Sequence, residues 1–245
     1  MKENRYDEEI FFKKYSQFPR SVQGLRAAGE WHELEAMLPD FSNKRILDIG
    51  CGFGWHCMYA AEHGAKQVVG TDISCKMLEV ARQKHSSSVI TYQQVAMEDL
   101  EFPPASFDVV LSSLALHYTP EYSLICDKVY RFLSPGGFFV FSVEHPVFTA
   151  YGNQDWIYNE QGNPDHWPVD RYFVEGERQA VFLGETVKKY HRTLTTYLGE
   201  LINRGFSIER VVEPQPQPHL LETVPGMREE LRRPMMLLIR AVKKQ

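Results

Sequence analysis

The sequence predicts an α/β fold organised around a parallel sheet, and three features carry that expectation. Between Arg45 and Val143, short β-branched or apolar runs alternate with helical segments, as strands joined by crossover helices do. The first run, RILDIG, empties into three glycines at alternate positions, Gly50, Gly52 and Gly54. The second, QVVGTD, closes on Asp72, 18 residues beyond Gly54.

Each element follows from its own local pattern. Ahead of Arg45, the stretch VQGLRAAGEWHELEAMLPD reads as amphipathic helix. RILDIG is the first strand, and WHCMYAAEHG a helix that Gly64 ends by taking the left-handed conformation. QVVGTD is the second strand, after which Ser74 caps a helix with Met77, Leu78 and Ala81 on one apolar face. VITYQQV and FDVVLSSL supply strands three and four. Thr119-Pro120 opens the next helix as cap and first-turn proline, with Leu124, Ile125, Val129, Phe132 and Leu133 on its buried side. SPGG then turns the chain into FFVFSV, the fifth strand. From 146 to 182 the period is lost and aromatic residues crowd in, the composition of a long ordered insertion. A helix is expected through TVKKYHRTLTTYLGELINRG, then a strand FSIERVVE, a proline-punctuated connection and a last strand MMLLIRAV.

With 43% apolar and 24% charged residues over 245 positions, the chain can build a core and is expected to form one compact unit. It reads as a single domain, 1–245: an N-terminal helical cap at 1–44, a core at 45–145, a substrate-side insertion at 146–186, and a C-terminal helix with the last two strands at 187–245. The net charge of -5 argues against a nucleic-acid partner, because phosphate binding rests on Lys and Arg. The basic residues Arg228, Arg232, Arg233, Arg240, Lys243 and Lys244 read as a solvated face. Cys51, Cys57, Cys75 and Cys126 form no C-x-x-C pair and no zinc spacing, so no metal site is expected and a reducing compartment suits them. MKENRYDEEIFF lacks the apolar core of a signal peptide, and no run reaches the ~18 residues of a membrane span. A cytoplasmic protein without a membrane partner is expected.

A strand feeding a helix through glycines lets a ligand approach the backbone where a Cβ would clash, and the helix start offers free N–H groups. Such a turn lies at the carboxyl edge of the sheet, where α/β folds bind ligands. Asp72 stands where a ribose-binding carboxylate is expected, with Ile73 beside it to cover an adenine, although Asp72 could also serve only as a turn and cap residue. The dinucleotide fingerprint G-x-G-x-x-G/A needs a small third residue, and Trp55 occupies that position, so a pyrophosphate cradle is disfavoured. Asp48, two residues before Gly50, suits a ligand with an ammonium group better than one with phosphates.

ILDIGCGFG, VVGTDIS, MEDLEFPPASFDVVLSSLALHY and LSPGGFFVFSVEHP, in that order, resemble the motif set of the class I S-adenosylmethionine-dependent methyltransferases over at least residues 45–146. The resemblance implies a Rossmann-like seven-stranded sheet, mostly parallel with an antiparallel last strand, and S-adenosyl-L-methionine as cofactor, leaving as S-adenosyl-L-homocysteine. Carried over, Gly50, Cys51 and Gly52 would contact the methionine and ribose portions, Asp72 the ribose and Ile73 the adenine. Met97 and Glu98 would meet the adenine edge, and Leu114 would lie beside the methionine moiety. Many relatives place an Asp where this chain has Ala96, so adenine recognition would fall to backbone groups or Glu98. The N-terminal helix, with Tyr15, Arg26 and Trp31, would close over the cofactor.

Transfer of a methyl from a sulfonium is an in-line displacement that mainly requires a positioned nucleophile. A general base is needed only for a protonated acceptor. His117 and Tyr118 follow the fourth strand, and Glu144 and His145 the fifth. His117 or His145 is the candidate base, each equally able to orient a loop or the cofactor. Glu144, Tyr118, Trp156, Trp167, His191 and Arg192 are candidate acceptor-binding residues; the last two could bind an anion or form a buried polar network. The aromatics of the insertion could wall a planar or cationic acceptor, or could be that insertion's own small core. The expected partner is a small-molecule methyl acceptor. A sensor that binds the cofactor without transfer, and a nicotinamide-dependent oxidoreductase, are the competing readings.

Overall fold

The computed structural model describes residues 4–224 and 226–244. An N-terminal segment of short helices, α1 Glu9–Ser16, α2 Pro19–Gln23 and α3 Trp31–Met37, precedes the first strand. The core then alternates as its sequence pattern requires: β1 Arg45–Ile49, α4 Trp55–Glu62, β2 Gln67–Asp72, α5 Cys75–Lys84, β3 Ile90–Gln94, β4 Phe107–Ser113, α6 Tyr122–Phe132 and β5 Leu133–Glu144. Beyond it lie a one-turn helix α7 Pro146–Thr149, a small hairpin of β6 Ile157–Tyr158 and β7 Pro164–His166, and a longer hairpin of β8 Gly176–Phe182 and β9 Glu185–His191. Helix α8 Leu194–Asn203, β10 Phe206–Val212, α9 Pro218–Thr223 and β11 Met236–Lys243 complete the chain.

Seven strands form one sheet in the order β10-β11-β5-β4-β1-β2-β3. β1 to β5 are mutually parallel where they pair, and β11 runs antiparallel to both β5 and β10. The antiparallel last strand follows the expectation. Strand order reverses beside β1, whose carboxyl end runs straight into the glycines. The central strands are apolar throughout because helices cover both faces. On one face Leu47, Val110, Phe139 and Phe141 pack with Tyr122, Phe132, Tyr197 and Leu201 of α6 and α8. On the other, Ile46, Val68 and Val109 meet Leu34, Met37, Ala60 and Leu78 of α3, α4 and α5.

Local chemistry explains the boundaries. Ser74 caps α5 by accepting from Met77 N (3.1 Å), and Gly64 ends the α4 turn at φ 79°. Three readings are corrected. The segment TVKKYH is strand β9, paired with β8, and the helix begins only at Leu194, where Thr193 accepts from Thr196 N. Thr119 does not cap α6: its hydroxyl accepts from Glu121 N (3.1 Å), and the helix starts two residues later than expected, at Tyr122. The amphipathic N-terminal stretch is not one helix, because Gly24 at φ 66° separates α2 from the turn that leads to α3.

Leu124, placed on the buried side of α6 from its spacing, is 38% exposed, whereas Ile125 is fully buried. Ile125→Ala should therefore cost about 2–5 kcal/mol through lost transfer energy and an unfilled cavity. Leu124→Ala should stay within about 1 kcal/mol. Denaturant midpoints read both, and equal losses would contradict the helix orientation.

Candidate functional site

The turn after β1 is folded back against β2. Gly50 N and Cys51 N both donate to Thr71 O, at 2.8 and 2.9 Å. Gly50 stands at φ 72°, and a Cβ there would lie 2.4 Å from the Ala115 Cβ; at Gly54, φ 82°, it would lie 2.3 Å from the Tyr92 hydroxyl. Only glycine fits either place. Asp72 is locked to this turn: its Oδ2 accepts from Gly52 N and its Oδ1 from Ser74 N, each at 2.9 Å. Burial pushes its carboxyl up to about 6, against the lowering effect of those backbone N–H groups. From the N-terminal segment, Asp7 accepts from Ser74 Oγ (2.6 Å) and Lys76 N (3.1 Å), tying that segment to the start of α5.

One cavity of about 840 Å³ opens along this edge. Gly50, Gly52, Asp72, Ile73, Met97, Glu98 and Leu114 line it, together with Ala96. Leu114 holds φ 52°, its N–H donating to Ser142 O at 2.9 Å. Farther along, the wall continues through His117, Tyr118, Glu144 and Lys189, with Tyr6, Tyr15, Phe18, Trp156 and Phe182 enclosing the space. Glu144 receives Lys189 Nζ on Oε1 and Gln154 Nε2 on Oε2, each at 2.5 Å, and Gln154 Oε1 takes a second Lys189 N–H at 2.8 Å. Burial alone would raise the Glu144 carboxyl, but the Lys189 ammonium holds it below its ordinary value. His117 accepts from Glu144 N at Nδ1 (3.4 Å), and burial pushes the ring down to about 4, so it is neutral near pH 7.

Six predicted site residues are not on this wall. Asp48 is 1% exposed beneath the turn, facing Cys57 Sγ at 3.4 Å, and Cys51 is buried beside it. His145 caps α7 through Val147 N (3.0 Å) and turns Nε2 to Glu213 Oε1 (2.8 Å). His191 is sealed between Thr149 Oγ1 and Tyr172 O, both at 2.8 Å. Arg192 donates to the carbonyls of Leu116 and Thr119, bracing the loop that carries His117 and Tyr118. Trp167 stacks on Phe148, with ring centroids 4.9 Å apart, and the Arg233 guanidinium lies 4.1 Å from its centroid. The polar groups of His145, His191 and Arg192 are used by their neighbours, and Asp48, whose Oδ1 has no partner, is sealed beneath the turn away from the cavity. Of the N-terminal trio, Tyr15 reaches the wall, Trp31 packs on His56 and Tyr59, and Arg26 is exposed.

Lys189, Arg20 and Glu30 are charged wall residues that the sequence reading missed. Lys189 was hidden by reading β9 as helix; the alternation of Val187, Lys189 and His191 is the signal that would have found it. Arg20 and Glu30 carry no motif, yet Arg20 Nη1 donates to Glu30 Oε1 (2.5 Å) and Nη2 to Ser113 Oγ (2.8 Å) at the cavity edge. Among the described residues, no group of three or more His, Cys, Asp or Glu side chains could hold a metal ion, and no helix is long and apolar enough to cross a membrane.

Comparison with known proteins agrees with this architecture. The profile of the methyltransferase-domain family matches residues 47–141. A putative S-adenosylmethionine-dependent methyltransferase from Listeria monocytogenes is 59% identical, with a TM-score of 0.86 over 91% of this chain and 100% of its own. An S-adenosylmethionine-dependent methyltransferase from Mesorhizobium loti is 46% identical, with a TM-score of 0.82 over 89% of this chain and 100% of its own. A fatty-acid O-methyltransferase from Mycolicibacterium smegmatis is 31% identical over 58% of this chain and 56% of its own length.

Asp48 supplies a pH test of the buried floor. Burial pushes its carboxyl from 3.8 up to about 7, with the Cys57 hydrogen bond opposing. A folded-state value above the unfolded one means that the stability linked to this proton is complete below about 3.8 and is lost as pH rises through about 7. Asp48→Asn cannot lose it. The variant should gain on the wild type as pH is raised from about 4 to about 8, by the order of 4 kcal/mol in full. Denaturant titrations across that range check this, and a pH-independent difference would contradict it.

Proposed function

This chain belongs to the S-adenosylmethionine-dependent methyltransferases, and from that premise we propose that it transfers the methyl group, by in-line displacement, to a small molecule held in the same cavity. The observation that carries this is continuity: the glycine floor with Asp72 and the His117–Tyr118–Glu144–Lys189 wall line one space. When bound, the cofactor supplies a methyl carbon already activated by the positive charge on sulfur.

The residues present fit that ligand. Gly50 and Gly52 leave bare backbone for a nucleoside thioether to lie against. Asp72, already oriented by Gly52 N and Ser74 N, has lone pairs left for ribose hydroxyls. Ile73 and Met97 offer apolar faces to an adenine, and Glu98 and the backbone about Ala96 its polar edge. Desolvation raises the Asp72 carboxyl, and hydroxyl donors would favour its charged form again, so binding and ionisation support each other.

At the other end, His117 positions the acceptor. Its Nδ1 accepts from Glu144 N, so in the neutral ring the proton sits on Nε2, and the side chain presents a donor rather than a base. An already ionised acceptor oxygen, as in a carboxylate, suits that donor, since one lone pair can take the N–H while another attacks and no proton has to leave. The relative named for O-methyl transfer points the same way. The aromatic enclosure favours an apolar or planar skeleton and keeps water from competing for the methyl group.

Asp72→Ala should weaken S-adenosylmethionine binding about 10- to 100-fold by calorimetry, the scale for hydrogen bonds to a charged group. Unchanged affinity would place the ribose elsewhere. Incubation of metabolite extracts with methyl-labelled cofactor, followed by mass spectrometry, identifies the acceptor; no labelled product from several extracts would favour a sensor that binds without transfer. On the product so found, His117→Gln, which keeps an N–H donor, should hold turnover within about tenfold, whereas His117→Phe should lose about 10- to 100-fold. Equal losses would make His117 a proton acceptor.

A further inference from the structure

Arg20 and Glu30 form an ion pair that is incomplete within the protein. Glu30 is 1% exposed and lines the cavity. Its Oε1 accepts from Arg20 Nη1 at 2.5 Å, but its Oε2 is buried without any donor among the described residues. A buried charge pair is tolerated only when its remaining lone pairs and protons are also satisfied, and an orphaned carboxylate oxygen bears the full cost of lost hydration. Arg20 is unsaturated as well. Its guanidinium has five N–H donors, and the contacts present are one to Glu30 and one to Ser113 Oγ at 2.8 Å. The pair therefore leaves one Glu30 oxygen without a donor and several Arg20 N–H groups without an acceptor, side by side.

The pair stands over the glycine turn. Ser113, which anchors Arg20, ends β4 next to Leu114 and Ala115, and Ala115 is the residue against which Gly50 is pressed. The Arg20 charge is also felt by Asp48 and His56, which lie just beneath the turn. A ligand whose sugar is held at Asp72, at the end of β2, and which crosses Gly50 towards β4, brings its far end to Arg20 and Glu30.

We propose that Arg20 and Glu30 form a clamp for an α-amino-acid zwitterion, Arg20 taking the α-carboxylate and Glu30 Oε2 the α-ammonium of the methionine end of the cofactor. This rests on the cofactor reading above and extends it to two residues of the N-terminal segment. The clamp is self-neutral, and so is the group it receives, which lets two buried charges close without leaving net charge in the site. It also makes the N-terminal segment part of the binding site rather than a cover over it. A nucleoside that lacks the amino-acid end would leave Glu30 Oε2 without a donor and the two side chains with only each other.

Calorimetry with S-adenosylhomocysteine and 5′-methylthioadenosine, which share the nucleoside thioether and differ in the amino-acid end, tests this without turnover. The wild type should prefer S-adenosylhomocysteine by about 100-fold or more, the scale of two charge-assisted hydrogen-bonded contacts. In Arg20→Met and in the isosteric Glu30→Gln the preference should fall below about tenfold, while 5′-methylthioadenosine binds within about threefold of its wild-type affinity. Decarboxylated S-adenosylmethionine, which keeps the amine but lacks the carboxylate, should be insensitive to Arg20→Met and sensitive to Glu30→Gln. A preference that survives both substitutions, or equal weakening of both thioethers, overturns the clamp. A wild type that binds the two thioethers equally well overturns the clamp alone, and one that binds neither removes the cofactor reading beneath it.

Discussion

The arrangement of this site depends on one steric constraint, the close contact of bare backbone at Gly50 and Gly54 with side chains of neighbouring elements. Ala115 from the segment after β4 and Tyr92 from β3 occupy the space in which side chains at those glycines would stand. The turn can therefore sit low against the sheet, with Gly50 N and Cys51 N bonded to Thr71 O. That depth brings Gly52 N within reach of the Asp72 carboxylate. A floor and a tether that arise on adjacent strands become one surface through a single shared hydrogen bond. Any side chain at Gly50 would lift the turn away from β4 and separate them.

What was legible in the sequence follows from burial. Strands β1, β2, β4 and β5 are covered on both faces, so they read as unbroken apolar runs, and the glycines and Asp72 stand at their ends where spacing alone can locate them. Strand β9 was not legible, because the side of the hairpin that faces inward carries Lys189 and His191 beside Val187, and charge on the buried side disguises a two-residue period as a helical one. Thr119-Pro120 has the composition of a helix start, but Arg192, distant in sequence, takes the Thr119 carbonyl and holds that residue in the loop. Arg20 and Glu30 had no signal at all. They meet Ser113 only through the tertiary path of the N-terminal segment.

Hydrogen-bond completeness separates the polar residues that build the protein from those free to meet a ligand. His145, His191 and Arg192 belong to the residue types expected to do chemistry, yet their polar groups face Val147, Glu213, Thr149, Tyr172, Leu116 and Thr119. They fix the loops after β4 and β5. His117 differs by one nitrogen, since Nδ1 is taken by Glu144 N while Nε2 has no partner among the described residues. Glu30 and Asp48 each differ by one oxygen, and of the two Glu30 lines the cavity. In a buried site the cost of an unmade hydrogen bond is what makes such an atom informative, and residue type alone does not reveal it.

Trp55 links these observations. Its bulk in place of a small residue argues against a pyrophosphate cradle, and the structure gives that bulk a second role. The indole lies where a Cβ on Gly24 would fall, 2.6 Å away, and its ring centroid is 4.1 Å from that of His85, whose Nδ1 lies 2.6 Å from Phe53 O inside the glycine turn. The N-terminal segment is thus seated on the first residue of α4, while Asp7 seats it on the first turn of α5. These two helix starts flank the floor. The residue that fills the position where a dinucleotide fingerprint needs a small side chain therefore also seats the N-terminal segment that carries Arg20 and Glu30.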